Sequence, residues 1–100
     1  MNALNFINGV FVDATDGQTL TNLNPATGQT IGTIARSKDS DVEEAVKAAA
    51  SAQEAWSSLD MLERATWLDR LADGLEARKE ELARRESRDT GKPLALARRV

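Results

Sequence analysis

Residues 22–32 read NLNPATGQTIG and place a Pro-Ala-Thr-Gly turn between two short segments rich in threonine, leucine and isoleucine. Pro25 suits the first central position of a tight turn because its ring fixes φ, and Gly28 can adopt the left-handed conformation. We therefore predict a hairpin with strands at about residues 19–24 and 29–35.

A second hairpin is predicted upstream, at about residues 4–13. Asn8 and Gly9 lie between two apolar segments, and Asn-Gly is a strong hairpin signal because both residues accept positive φ. Turn-forming residues recur over the whole first part of the chain. Residues 1–39 are therefore expected to form β-hairpins.

A helix is predicted over residues 40–58. Ser40 and Glu43 have the spacing of a capping box, in which Ser40 would cap the helix. Apolar residues then recur at helical spacing on one face, namely Val42, Ala45, Val46, Ala49, Ala52 and Trp56. This pattern is typical of an amphipathic helix.

A longer helix is predicted over residues 60–90, opened by a second capping box of Asp60 and Glu63. Its buried side is expected to carry Ala65, Leu68, Leu71, Ala72, Leu75 and Leu82. Glu80 precedes Arg84 by four residues and Glu81 precedes Arg85 by four, which favours a solvated face with ion pairs over a basic patch.

Gly91 indicates the end of this helix, and Pro93 can open a third helix over residues 93–100. That third pattern is unfinished at Val100. We expect an α+β fragment, with β-hairpins followed by two long helices and the start of a third, from a longer protein.

Composition limits the functions that these residues can perform. The net charge of −3 offers no positive field for a nucleic acid, and no segment reaches the length of about 18 apolar residues that a membrane helix needs. Without a signal-like N-terminus, the protein is expected to be cytoplasmic. The chain has no Cys and no His, so the usual nucleophile, general base and metal ligands are missing from it.

Five segments together resemble the amino-terminal region of the aldehyde dehydrogenase superfamily, over roughly residues 6–98. They are FINGVFV, NPATGQTIG, DVEEAVKAAASAQEAW, ERATWLDRLADGLEARKEELA and ESRDTGKPLALAR, in order and spacing. The segment DTGKPLALAR is similar to enzymes that act on muconic semialdehydes. Betaine aldehyde and general aliphatic aldehyde dehydrogenases remain alternatives.

The resemblance implies oxidation of an aldehyde to a carboxylic acid with NAD or NADP. Residues 1–100 would then be the amino-terminal part of a Rossmann-like α/β cofactor-binding domain. In this family the catalytic Cys, Asn and Glu and the cofactor loop lie further along the chain. The resemblance therefore implies no catalytic and no cofactor-binding residue within residues 1–100, which alone are expected to be inactive. The resemblance also implies a homodimer or homotetramer, and it assigns Asn24 to a structural turn.

The resemblance further implies a monovalent cation site. Some family members bind the ion with a backbone carbonyl just before the Asn-Pro turn and with the Asp of the DTGKP segment. Those positions are Asn22 or Leu23 and Asp89 here. Alternatively, Asp89 simply accepts backbone hydrogen bonds or pairs with an arginine.

Two other hypotheses remain open. The chain could be a free-standing helical module for binding or oligomerisation without catalysis, or an α+β domain of unrelated function. The unfinished third helix and the unpartnered helix faces favour a portion of an aldehyde dehydrogenase.

Overall fold

The computed structural model describes residues 1–99, which form two compact units. The first unit contains residues 1–22 and 30–58, and the second contains residues 23–29 and the chain from residue 59 onward. Strands and one long helix make up most of the first unit, and the remaining helices make up the second. This arrangement confirms the predicted α+β fragment with strands first and helices after.

The strands are short and lie within the first 35 residues. They are β1 Asn2–Ala3, β2 Asn5–Ile7, β3 Val10–Val12, β4 Thr19–Leu23 and β5 Thr30–Ala35. Strands β2 and β3 pair antiparallel, with Phe6 opposite Phe11 and their ring centroids 4.9 Å apart. Asn8 and Gly9 join them with φ values of 51° and 80°. The hairpin predicted from Asn-Gly is confirmed.

The other sheet has the order β1-β5-β4, so β4 and β5 are neighbours as predicted. Strand β1, however, pairs parallel with β5, with Asn2 opposite Thr33. Hairpins alone therefore do not describe residues 1–39, because this pairing joins segments that are distant in sequence. Gly32 permits the backbone of Met1 to approach β5 closely, since a Cβ at this position would collide with the carbonyl oxygen of Met1.

The helices are α1 Asp39–Ser58, α2 Met61–Ala77, α3 Lys79–Thr90 and α4 Leu94–Ala97. The prediction of one helix over residues 60–90 is wrong, because the chain breaks at Arg78, where φ is −111° and ψ is 12°. The Arg78 amide donates to the carbonyl of Leu75 at 3.1 Å, a tighter turn than the α-helical one, and α3 restarts with Leu82 donating to Arg78.

The third predicted helix is represented by α4, which is followed by a turn at residues 98–99, while Val100 lies outside the described residues. None of the helices in residues 1–99 combines the length and the apolar character needed to cross a membrane.

The capping box predicted at Ser40 is wrong. Helix α1 begins one residue earlier, and the carbonyl of Lys38 accepts hydrogen bonds from the amides of Asp41 and Val42. The Lys38 amide donates to Asp41 Oδ2 at 2.8 Å, so the capping carboxylate stands three residues after Lys38. Asp41 has a further partner in the preceding loop, and this contact fixes the start of the helix.

The second box is confirmed at the start of α2. The Glu63 amide donates to Asp60 Oδ1 at 2.8 Å, and the Asp60 amide donates to Glu63 Oε2 at 3.2 Å. Both partners are within the first turn, so this start depends on local residues alone.

Few side chains are buried. Ala14, Ala83 and Ala97 are the buried apolar residues, and Asp41 is also buried. The leucines predicted to mark a buried side are exposed instead, including Leu71 at 58%. That part of the prediction is wrong for residues 1–99, because no described element packs closely over these side chains.

Candidate functional site

The turn at residues 24–28, here called the 24–28 turn, is closed by Asn24 through both its backbone and its side chain. The Asn24 amide donates to the carbonyl of Gln29 at 2.8 Å, and its carbonyl accepts from the amide of Gly28 at 2.7 Å. Its side-chain Oδ1 accepts from the amide of Ala26 at 2.9 Å. Asn24 therefore performs the structural role expected of an Asx turn.

Pro25 of this turn contacts the end of α3. Gly91 follows α3 with φ of 78°, and its amide donates to the carbonyl of Ser87 at 3.0 Å. A Cβ on Gly91 would lie 3.2 Å from Cγ of Pro25. Glycine is thus favoured at this position twice, by the left-handed backbone and by the close approach of the proline ring.

The loop after α3 is held by three hydrogen bonds around Glu86. Thr90 Oγ1 donates to the carbonyl of Glu86 at 2.8 Å and accepts from the amide of Lys92 at 3.2 Å. Lys92 Nζ reaches Glu86 Oε1 at 3.0 Å. The Thr-Gly-Lys segment is therefore fixed against the last turns of α3.

An open groove of about 390 Å³ lies between the 24–28 turn and this loop. Its lining residues are Asn24, Ala26, Arg84, Ser87, Arg88, Gly91, Lys92, Pro93 and Leu94. Three cationic side chains of this set, Arg84, Arg88 and Lys92, lie beside the turn, and the sequence does not predict this proximity. Their helical spacing was visible in the sequence, but the position of the turn was not.

The ion pairs predicted on the surface of α3 are confirmed. Glu80 contacts Arg84, and Glu81 contacts Arg85, each at 2.7 Å. Glu80 also accepts two hydrogen bonds of 2.8 Å from Arg98, the residue directly after α4. These hydrogen bonds from Arg98, with the charge of Arg84, lower the pKa of Glu80 to about 2, and they raise the pKa of Arg98.

In the first unit, the buried carboxylate of Asp41 joins α1 to the loop before β4. Oδ1 accepts from the hydroxyl of Thr15 at 2.6 Å and from the Thr15 amide at 2.9 Å. The Thr15 hydroxyl is the largest cause of the lowered pKa of Asp41, followed by the Lys38 amide. Hydrogen bonds to the ionised form thus outweigh the effect of burial.

Comparison with known proteins identifies the family. Residues 11–99 match the sequence model of the Aldehyde dehydrogenase family. The chain belongs to the aldehyde dehydrogenase family. The match extends over both compact units, and it confirms the resemblance inferred from the five sequence segments.

Solved structures agree with this assignment. A Burkholderia cenocepacia protein assigned to the aldehyde dehydrogenases is 47% identical, with a TM-score of 0.93 over 96% of this chain and 20% of its own. PnpE from Pseudomonas sp. WBC-3 is 42% identical, with a TM-score of 0.95 over 100% of this chain and 20% of its own. PnpE has also been solved in complex with nicotinamide adenine dinucleotide.

A third similar structure is the NAD-dependent aldehyde dehydrogenase from Sinorhizobium meliloti. It is 37% identical, with a TM-score of 0.93 over 98% of this chain and 20% of its own. The chain therefore spans about a fifth of the length of these aldehyde dehydrogenase structures.

The residues predicted for the cation site lie at two places in this aldehyde dehydrogenase chain. Asn22 and Leu23 are the last residues of β4, and Asp89 is exposed in the last turn of α3. Within residues 1–99 no three acidic, His or Cys side chains form a group suited to a metal. A site built from backbone carbonyls and one carboxylate does not need such a group, so it stays a prediction.

The groups around the groove suit binding and folding better than covalent chemistry. The cationic side chains Arg84 and Lys92 are paired with carboxylates, and the sequence supplies no thiol or imidazole to act as nucleophile or base. The 24–28 turn and the end of α3 approach each other through Pro25 and Gly91.

Proposed function

We propose that this chain is the amino-terminal portion of an NAD(P)-dependent enzyme that oxidises an aldehyde to a carboxylic acid. The observation that carries the proposal is the family match over residues 11–99, together with similar structures described as NAD-dependent or solved with that cofactor. Residues 1–100 would form the beginning of the cofactor-binding domain.

In this proposal the chain's own residues support the domain and take no part in the chemistry. The 24–28 turn packs on the end of α3 through Pro25 and Gly91, and Glu80 ties α4 to α3 through Arg98. NAD or NADP, when bound to the whole enzyme, supplies the acceptor for the hydride removed from the substrate. The alternative of a free-standing binding module lacks any comparable support from a relative.

The isolated chain is expected to be inactive, because it contains no Cys to form a covalent intermediate with the aldehyde. The purified chain should produce no NADH or NADPH above a protein-free blank from a panel of aldehydes. Cofactor reduction that follows the concentration of the chain would contradict this expectation.

A chimera tests the proposal directly. The segment of PnpE that matches this chain is replaced by residues 1–100, and aldehyde-dependent NADH formation is measured. We expect a soluble, active chimera, because the two segments are 42% identical over the whole of this chain. A matched chimera with the corresponding Sinorhizobium meliloti segment controls for the junction. If that control is active and ours is soluble but inactive, the proposal is wrong.

For the substrate, we propose a muconic-type semialdehyde, supported by the resemblance of the DTGKPLALAR segment at residues 89–98. The assembly is proposed to be a cytoplasmic homodimer or homotetramer, as the resemblance implies. The rates of the natural full-length enzyme with a muconic semialdehyde, betaine aldehyde and an aliphatic aldehyde would distinguish the three substrate classes. Faster turnover of either alternative would overturn this assignment.

The cation site is proposed at the carbonyl of Asn22 or Leu23 and the carboxylate of Asp89. Oxygen ligands of this kind suit a hard cation, and Asp89 lies where a helix C-terminus adds partial negative charge. In the active chimera, potassium should raise the thermal midpoint, and Asp89→Ala should reduce that response. Asp73→Ala, which removes an exposed carboxylate from α2, is the control. Equal responses in the chimera and both variants would exclude the site.

A further inference from the structure

We draw no further inference here: the strongest candidate, the open groove between the 24–28 turn and the end of α3, carries nothing because nothing in the structure shows what covers it and two of its three cationic side chains, Arg84 and Lys92, already pair with carboxylates.

Discussion

The two longest helices, α1 and α2, begin with different kinds of cap. At α2 the capping carboxylate of Asp60 and its partner Glu63 are three residues apart and both are exposed. At α1 the carboxylate of Asp41 is buried, and it binds Lys38 nearby and Thr15 in a distant loop. The start of α2 is therefore a local structure, whereas the start of α1 depends on a contact with a distant part of its unit.

This difference explains why one capping box was predicted correctly and the other was not. A local cap requires only residue types at a fixed spacing, which Ser40 and Glu43 satisfy as well as Asp60 and Glu63 do. Thr15 offers Asp41 two additional donors, and this long-range contact places the carboxylate at the third helical position. Tertiary hydrogen bonds therefore decide where α1 begins, whereas its sequence alone would also allow a start capped by Ser40.

The largest effect should come from Asp41→Ala. It leaves the Thr15 amide, the Thr15 hydroxyl and the Lys38 amide without their acceptor, in a place where water cannot fully replace it. We expect the thermal midpoint of the chain, followed by circular dichroism, to fall by roughly 5–10 °C. Asp39→Ala removes the same charge from the same helix end without breaking these bonds. Equal losses in both variants would show that charge alone matters.

The pH dependence of stability should test the role of the Asp41 carboxylate at the start of α1. Because the pKa of Asp41 is lowered in the folded state, its stabilising contribution is present above the unfolded pKa of about 4 and is lost as pH falls through the folded value. As pH falls below about 4, wild type should therefore lose more stability than Asp41→Asn. Glu80, whose pKa is lowered to about 2, is present in both proteins, so its contribution cancels in the difference. Parallel profiles of midpoint against pH would refute the assignment.

A smaller, local effect is expected from Asp60→Ala. Loss of this exposed cap should destabilise the start of α2 by about 1 kcal/mol, which corresponds to roughly 5-fold faster amide exchange in its first turn. Asp60→Asn retains a capping oxygen and should exchange almost as slowly as wild type. A change of the same size in the first turn of α1 would mean that the effect is not local.

The same distinction separates what could be predicted in the fold from what could not. The turn at Asn8 and Gly9 and the Asp60 cap were predicted because the residues that form them are neighbours in sequence. The pairing of β1 with β5 was missed because nothing in either segment indicates its partner. The break at Arg78 was also missed, since the residues on both sides are good helix formers.

The candidate site follows this rule as well. The 24–28 turn was predicted from Pro25 and Gly28, and the hydrogen bonds of Asn24 agree with it. The contact of Pro25 with Gly91 could not be predicted. The left-handed backbone at the end of α3 is by itself enough to explain a glycine at residue 91. Where a local backbone requirement already explains a residue type, the sequence cannot show that a tertiary contact requires the same residue.

The smallest effect, and the sharpest test of the comparison, is expected from Ser40→Ala. In the structure Ser40 is exposed at the second helical position of α1, so its hydroxyl is not the cap. Alanine has the higher helix propensity, and the substitution should change stability by less than about 0.5 kcal/mol. The measurement is amide exchange in the first turn of α1, with Asp60→Ala as a reference for the loss of a true cap. If Ser40→Ala accelerates exchange as much as the reference does, Ser40 is the cap and the start of α1 at Asp39 is wrong.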